Sequence, residues 1–268
     1  MPTGALPHVA RKFFSLFALV FMVASPALAQ GMMNGVDLAA PAFTSAEVSR
    51  ADVEALIANR QPGQTLDLSG KSLNGLDLSS LDLAGANLRG ARLNHAKLAG
   101  ANLRGAQLDG TWALEADFTE ADLAGAHLFG TQLMRAKMDR ANLSGARIAG
   151  DLSGASLAGA NLSGADGSAD MRNQSMGLMH AIMRSADLRG ANFSHADFSR
   201  VDIEFALLND ADFSGADFSG ADAAGADFRG AHLAGAKLDG IDLTSAHISA
   251  ASAPDFSKAL NLDRALRD

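Results

Sequence analysis

From Ala86 to Gly110 the chain reads ANLRG ARLNH AKLAG ANLRG AQLDG: five units of five residues, with alanine first, a polar residue second and leucine third. A period of five fits neither the helical repeat of about 3.6 nor the strand repeat of 2. Neither an amphipathic helix nor a flat sheet can keep these leucines on one side, whereas a coil that turns a corner once per unit can. The bulky position runs from Leu68 through Leu73, Leu78 and Leu83 to Leu143 and Ile148, 17 consecutive units in which only Ala113 is small. It then slips by one residue to Leu152, Leu157, Leu162 and Gly167. It slips back through Leu178, Met183, Leu188, Phe193, Phe198 and Ile203 to Ile248, roughly 37 units in all. Such fixed self-similarity marks a solenoid whose turns bury their apolar faces only against neighbours.

The unit resembles that of the pentapeptide repeat family, written A(D/N)LXX, over about 180 of the 268 residues. The resemblance implies an all-β solenoid, a right-handed quadrilateral β-helix with four units per turn and about nine turns here. In that coil the first residue must be small because it also points inward, as at Ala86, Ala91 and Ala96. The third fills the interior with Leu or Phe, each contributing about 1.5–3 kcal/mol when fully buried. The fifth turns the corner, and 11 of the first 17 units place glycine there, consistent with unusual backbone angles.

Several segments lie outside the repeat. Arg11 and Lys12 precede the apolar run Phe13 to Ala24, and Ala27-Leu28-Ala29 supplies an Ala-x-Ala cleavage site, so residues 1–29 read as a secretory signal peptide. Export, in a chain of this kind, points to the periplasm of a Gram-negative bacterium. With no cysteine, the mature protein must hold itself together by packing alone. Residues 30–43 read as a linker and 44–64 as an N-terminal capping helix. That helix is expected to open at Thr44, with Glu47 three residues later as a capping box, and to end at Gln61-Pro62-Gly63. The repeat proper spans 65–250, irregular at 149–185. Residues 251–268, from Pro254-Asp255-Phe256 through Arg264 and Arg267, read as a helical C-terminal cap. Some relatives pair through this end, so the resemblance allows a homodimer there.

Four units per turn put residues 20 apart on neighbouring rungs. Asp77, Lys97, Asp117 and Lys137 then alternate in charge, and Asp82, Asn102, Asp122 and Asn142 alternate charge with amide, as a stable stack requires. The second half differs. Asp202, Asp222 and Asp242 fall on one face, Asp197 and Asp217 on an adjacent one, and Glu204, Asp212 and Asp227 add to the excess. After the leader, residues to Gly150 carry 11 basic and 13 acidic groups, and the remainder 9 and 17. Asp at that position serves solubility and turn hydrogen bonds; the same acids also suit a docking face for a basic protein partner. The family includes gyrase inhibitors that imitate duplex DNA, a reading that requires a cytoplasmic location and conflicts with the leader. Nothing in the composition favours direct nucleic-acid binding, and no membrane span remains once the leader is removed.

Between Gly167 and Ala186 the repeat weakens around Met171, Met176, Met179, His180 and Met183. Either a bulged coil continues through Asn173 and Leu178, or a short helix stands out. Met176, Met179, His180 and Met183 are candidate copper(I) ligands, although Met also fills irregular core space. Trp112, beside the small Ala113, is expected outward in line with Arg92 and Gln132, or turned inward to fill that volume. No nucleophile elbow, phosphate loop, zinc cluster or glycosidase carboxylate pair stands out. The expectation is a non-catalytic protein without a cofactor, working as a scaffold or protein-binding module.

Overall fold

The computed structural model describes residues 44–168, 179–250 and 256–267. The chain divides into two compact units, Met1–Ala39 and Ala40–Asp268; the first, with the expected leader, and the remainder of the expected linker lie outside the described residues.

The unit from Asp117 to Ala121 shows how the coil satisfies its backbone. Asp117 N–H donates to Ala96 O one rung back (2.9 Å), and Phe118 and Glu120 donate to Lys137 O and Asp139 O one rung forward (2.6 and 3.0 Å). Ala121 N–H closes the corner on Phe118 O (2.9 Å). The remaining donor, Thr119 N–H, takes Asp117 Oδ1 at 3.0 Å. Buried or half-buried amides must be paired, so an Asp or Asn second in the unit serves the corner itself. The fifth residue turns through left-handed backbone, φ 57° at Glu120, a region costly for side chains, which explains the preference for glycine.

Parallel pairing joins residues 20 apart and divides the wall into four columns. The first runs Asp67, Asn87, Gln107 and His127; the second Ser72, Arg92, Trp112 and Gln132; the third Asp77, Lys97, Asp117 and Lys137; the fourth Asp82, Asn102, Asp122 and Asn142. In the fourth, Asn102 Nδ2 donates to Asp82 Oδ1 and Asn142 Nδ2 to Asp122 Oδ1, both at 2.9 Å. Inside, the first-position alanines and third-position Leu, Ile and Phe form one continuous buried core. Phenylalanines stack rung on rung, Phe193 over Phe213 at 5.4 Å and Phe198 over Phe218 at 5.6 Å.

The one-residue slip is a shortened corner. Strands β1 (His127–Gln132) and β2 (Arg147–Asp151) are parallel, with Phe129 opposite Ala149 but Gln132 opposite Asp151. The shortening draws Gly150 so close that a Cβ there would lie 2.4 Å from Thr131 O.

At the interruption Asp166 pairs with Asp197, and Ile182 with Asp151 and Asp202. Asp166 and Ile182 therefore hold successive columns, and Ala181 N–H meets Gly167 O at 2.9 Å. The two expectations for this segment, a bulged coil through Asn173 and Leu178 or a short helix, fall on residues 169–178, which lie outside the described residues. Gly167 has no bulk because the Phe198 ring already fills its interior space, 2.4 Å from where a Cβ would stand.

The N-terminal helix begins later than expected. Helix α1 (Arg50–Ala58) is capped by Ser49, whose hydroxyl accepts Asp52 N–H while the Asp52 carboxylate accepts Ser49 N–H. Thr44 and Glu47 have the same spacing, but Glu47 N–H pairs with Ser72 O (2.9 Å) on the edge of the first rung and its carboxylate lies 3.2 Å from Lys71 Nζ. Val53 is buried in the common core, with Val48 and Ile57 packed against it. Arg50 donates to Asp77 O (2.9 Å) and Ser79 O (3.3 Å), and Arg60 to Ala84 O (3.3 Å). These carbonyls belong to the first rung, where no earlier rung supplies donors.

The other end also departs from expectation. Residues 256–267 form a 3-10 turn (Leu262–Arg264) and strand β4 (Leu266–Arg267) parallel to β3 (His247–Ile248), not an α-helix. Phe256 is buried against Phe228 at 5.5 Å, and Leu260 N–H reaches Ile241 O (2.8 Å). Edge pairing and one buried ring carry the chain on as a further partial rung.

Candidate functional site

The eight acidic residues singled out in the second half do not form one surface. Asp197 and Asp217 continue the first column, Asp202, Asp222 and Asp242 the second, Asp227 the third and Asp212 the fourth. Most are occupied locally. Asp197, Asp212, Asp217 and Asp242 accept the N–H two residues on, at 2.9–3.0 Å. Lys237 Nζ lies 3.1 Å from Asp217. Asp227 is nearly buried and holds Arg229 at 2.6 Å; that side-chain hydrogen bond keeps its carboxyl far below the usual range. Hydrogen bonds from Ser214 lower Asp212, and one from Asn261, then those from Thr244, lower Asp242. Burial pushes Asp217 up, but bonds from Ser219 and Lys237 outweigh it.

One stretch of the second column is less settled. The fourth residue of a unit overhangs the second residue one rung on: Arg104 Nη1 reaches Asp122 Oδ2 at 3.0 Å. Arg184 bonds Asp202 in the same way and also lies 3.2 Å from Glu204. One rung further the place of the arginine is taken by Glu204, which overhangs Asp222. Burial first, and then the Asp222 charge, push the Glu204 carboxyl up. Beside it Phe205 turns the corner with φ 58° and is 61% exposed, and Leu207 stands outward in the third column, 41% exposed. In the sequence this place is marked by a phenylalanine fifth and a leucine second in their units.

Of the methionine and histidine segment the structure describes Met179, His180 and Met183. Met183 is buried in the core as a third-position residue, and the Met179 methyl group lies against Gly130. Met176 lies outside the described residues. Among the described residues no group of three or more His, Asp or Glu side chains is placed to hold a metal ion. Trp112 takes the outward alternative, in line with Arg92 and Gln132, while Ala113 and Leu114 are buried. Among the described residues no helix is long and apolar enough to cross a membrane.

A coil with its apolar side chains packed to the axis defines a solenoid. The chain belongs to the pentapeptide repeat family: the profile "Pentapeptide repeats" matches in 8 copies over residues 67–111, 115–150, 151–169, 178–215 and 211–249. Proteins of this family adopt right-handed quadrilateral β-helices and are generally non-catalytic structural or binding proteins. Similar solved structures include HetL, a pentapeptide repeat protein involved in heterocyst differentiation regulation in the cyanobacterium Nostoc sp. strain PCC 7120. It is 28% identical, with 75% of this chain and 97% of that one covered and a TM-score of 0.29. A pentapeptide repeat protein from the Arabidopsis thaliana thylakoid lumen is 25% identical, covering 57% and 75%, TM-score 0.21. Full-length QnrB1, a plasmid-mediated fluoroquinolone resistance protein, is 18% identical, covering 65% and 92%, TM-score 0.25. No curated protein matches the chain.

Proposed function

We propose that this protein is an exported, non-catalytic binding scaffold: a coil of about nine turns, covered by α1 at one end and by the partial rung at the other, that holds a protein partner on its outer wall. The observation that carries this reading is the stretch Asp202, Glu204 and Asp222, where a single guanidinium, Arg184, serves two carboxylates and the third faces a carboxylate. Asp217 and Asp227, by comparison, each hold a basic neighbour of their own, Lys237 and Arg229. A rigid wall with unbalanced charge attracts and orients an opposite charge. Removal of residues 1–29 on export to the periplasm belongs to the same reading, supported by the basic residues, apolar run and Ala-x-Ala site.

Affinity capture from a periplasmic extract tests it, comparing the wild type with a variant in which Asp202, Asp222 and Asp242 are all changed to Asn. The expected result is a partner retained by the wild type and lost by the variant, from a chain whose N-terminus is Gln30. Equal recovery by both forms dismisses the acidic wall, and recovery of no partner dismisses the binding role.

A further inference from the structure

We propose that the corner at Phe205 is the docking point for a partner protein segment that presents an aliphatic or aromatic side chain next to a lysine or arginine. The inference rests on the binding-scaffold reading and deepens it by naming the place and its chemistry.

Corner positions take left-handed backbone, and the described ones carry glycine or, apart from Phe205, the polar residues Ser, His, Glu, Arg, Asp or Asn. Phe205 is the one apolar residue among them. Its ring is seated on the next rung: a Cβ on Gly225 would lie 2.5 Å from Phe205 Cδ1, so only glycine leaves room for the ring there. Two residues on, Leu207 adds a second large apolar side chain at an outward position flanked along its column by Asp187 and Asp227. Those two acids are neutralised by Arg189 and Arg229. On the other side of the ring Glu204 overhangs Asp222, and the one base beside them, Arg184, lies 3.2 Å from Glu204 and is also bonded to Asp202.

Each half of this arrangement selects one half of the occupant. The exposed ring and Leu207 gain from being covered by an apolar side chain, and aromatic anchors held in fixed positions are where binding free energy concentrates. The Glu204 and Asp222 pair gains from a cation brought alongside and repels an acidic segment. Both features sit on backbone tied into the coil, Phe205 N–H to Ala224 O at 2.9 Å and Asp222 N–H to Val201 O at 2.9 Å, so the protein side loses little freedom on binding.

The test uses the full chain and three short synthetic peptides followed by fluorescence anisotropy: one alternating Leu or Phe with Lys, one with Glu replacing Lys, and one with Ser replacing the apolar residues. The first is expected to bind, more weakly as salt is raised, and the other two at least about tenfold more weakly. Phe205→Gly and Asp222→Asn should each weaken the first peptide about tenfold. Phe205→Gly also relieves the left-handed backbone, so a retained or raised melting temperature shows that lost binding is not lost folding. Undiminished binding by Phe205→Gly overturns the proposal. If no peptide binds at millimolar concentration while the capture experiment still retains a partner, the corner falls and the scaffold reading stands; if neither registers, both fall.

Discussion

Glu204 overhangs Asp222 in the rung-to-rung position from which Arg104 donates to Asp122 at 3.0 Å. A like-charged pair in a stack costs about 0.2–1 kcal/mol, and here burial adds to it, raising the Glu204 carboxyl above its ordinary value. A group whose folded-state value is raised contributes stability below its unfolded value and loses it as pH climbs through the folded one. Glu204→Gln should therefore raise the melting temperature at about pH 7, by the equivalent of about 0.5–1 kcal/mol. The gain should vanish below about pH 4, where Glu204 is itself neutral. An equal shift at both pH values would mean that Glu204 acts through packing.

The shortened corner makes a different demand. A Cβ on Gly150 would lie 2.4 Å from Thr131 O, whereas one on Gly105 meets nothing within 4 Å although φ there is 62°. Gly105→Ala is expected to cost only the left-handed term of about 1 kcal/mol. Gly150→Ala should cost about 2–3 kcal/mol, as overpacking does. Parallel chemical denaturation of the two variants measures the difference, and equal losses would remove the steric account.

The interior could be read from the chain alone because one five-residue period decides which side chain faces the axis, and Leu68, Leu103 and Phe218 are all buried. What failed were places where two local patterns compete. Thr44 with Glu47 and Ser49 with Asp52 have the same capping spacing, and the free edge at Ser72 decides between them by drawing Glu47 into pairing. Arithmetic by 20 could place Asp202 over Asp222 but could not align them with Trp112, because a shortened corner and an insertion lie between. The candidate site was half visible: the acids stand out by charge and Phe205 by its place fifth in the unit, while Arg184 over Asp202 and Glu204 over Asp222 emerge only when rungs are laid on one another.

Asp227 offers the opposite pH signature to Glu204. Its nearly buried carboxylate is held by Arg229 at 2.6 Å, which keeps it ionised far into acid. A lowered folded-state value contributes stability above the unfolded value and loses it as pH falls through the folded one. Asp227→Asn should cost about 1.5 kcal/mol near neutrality, and the gap from wild type should close progressively below about pH 4. A gap independent of pH would point to hydrogen bonding alone.

The first rung gives a prediction about association. Its end carbonyls would template another strand, yet Asp77 O and Ser79 O take Arg50, Ser72 O takes Glu47 N–H, and Val53 is buried in the same core as the first rung's Leu66 and Leu68. Arg50→Ala, with Arg50 more than a third exposed, should cost only about 0.5–1 kcal/mol, because water can replace it. Val53→Asp places a charge in the core and should lift α1 away, leaving pairing groups and apolar ends open together. Light scattering across a concentration series is then expected to show growing assemblies for Val53→Asp and a constant mass for Arg50→Ala. Hydrogen exchange should speed first at residues 67–84 in both. A Val53→Asp protein of constant mass would mean that the helix does not guard this end, and that the coil resists end-to-end growth by other means.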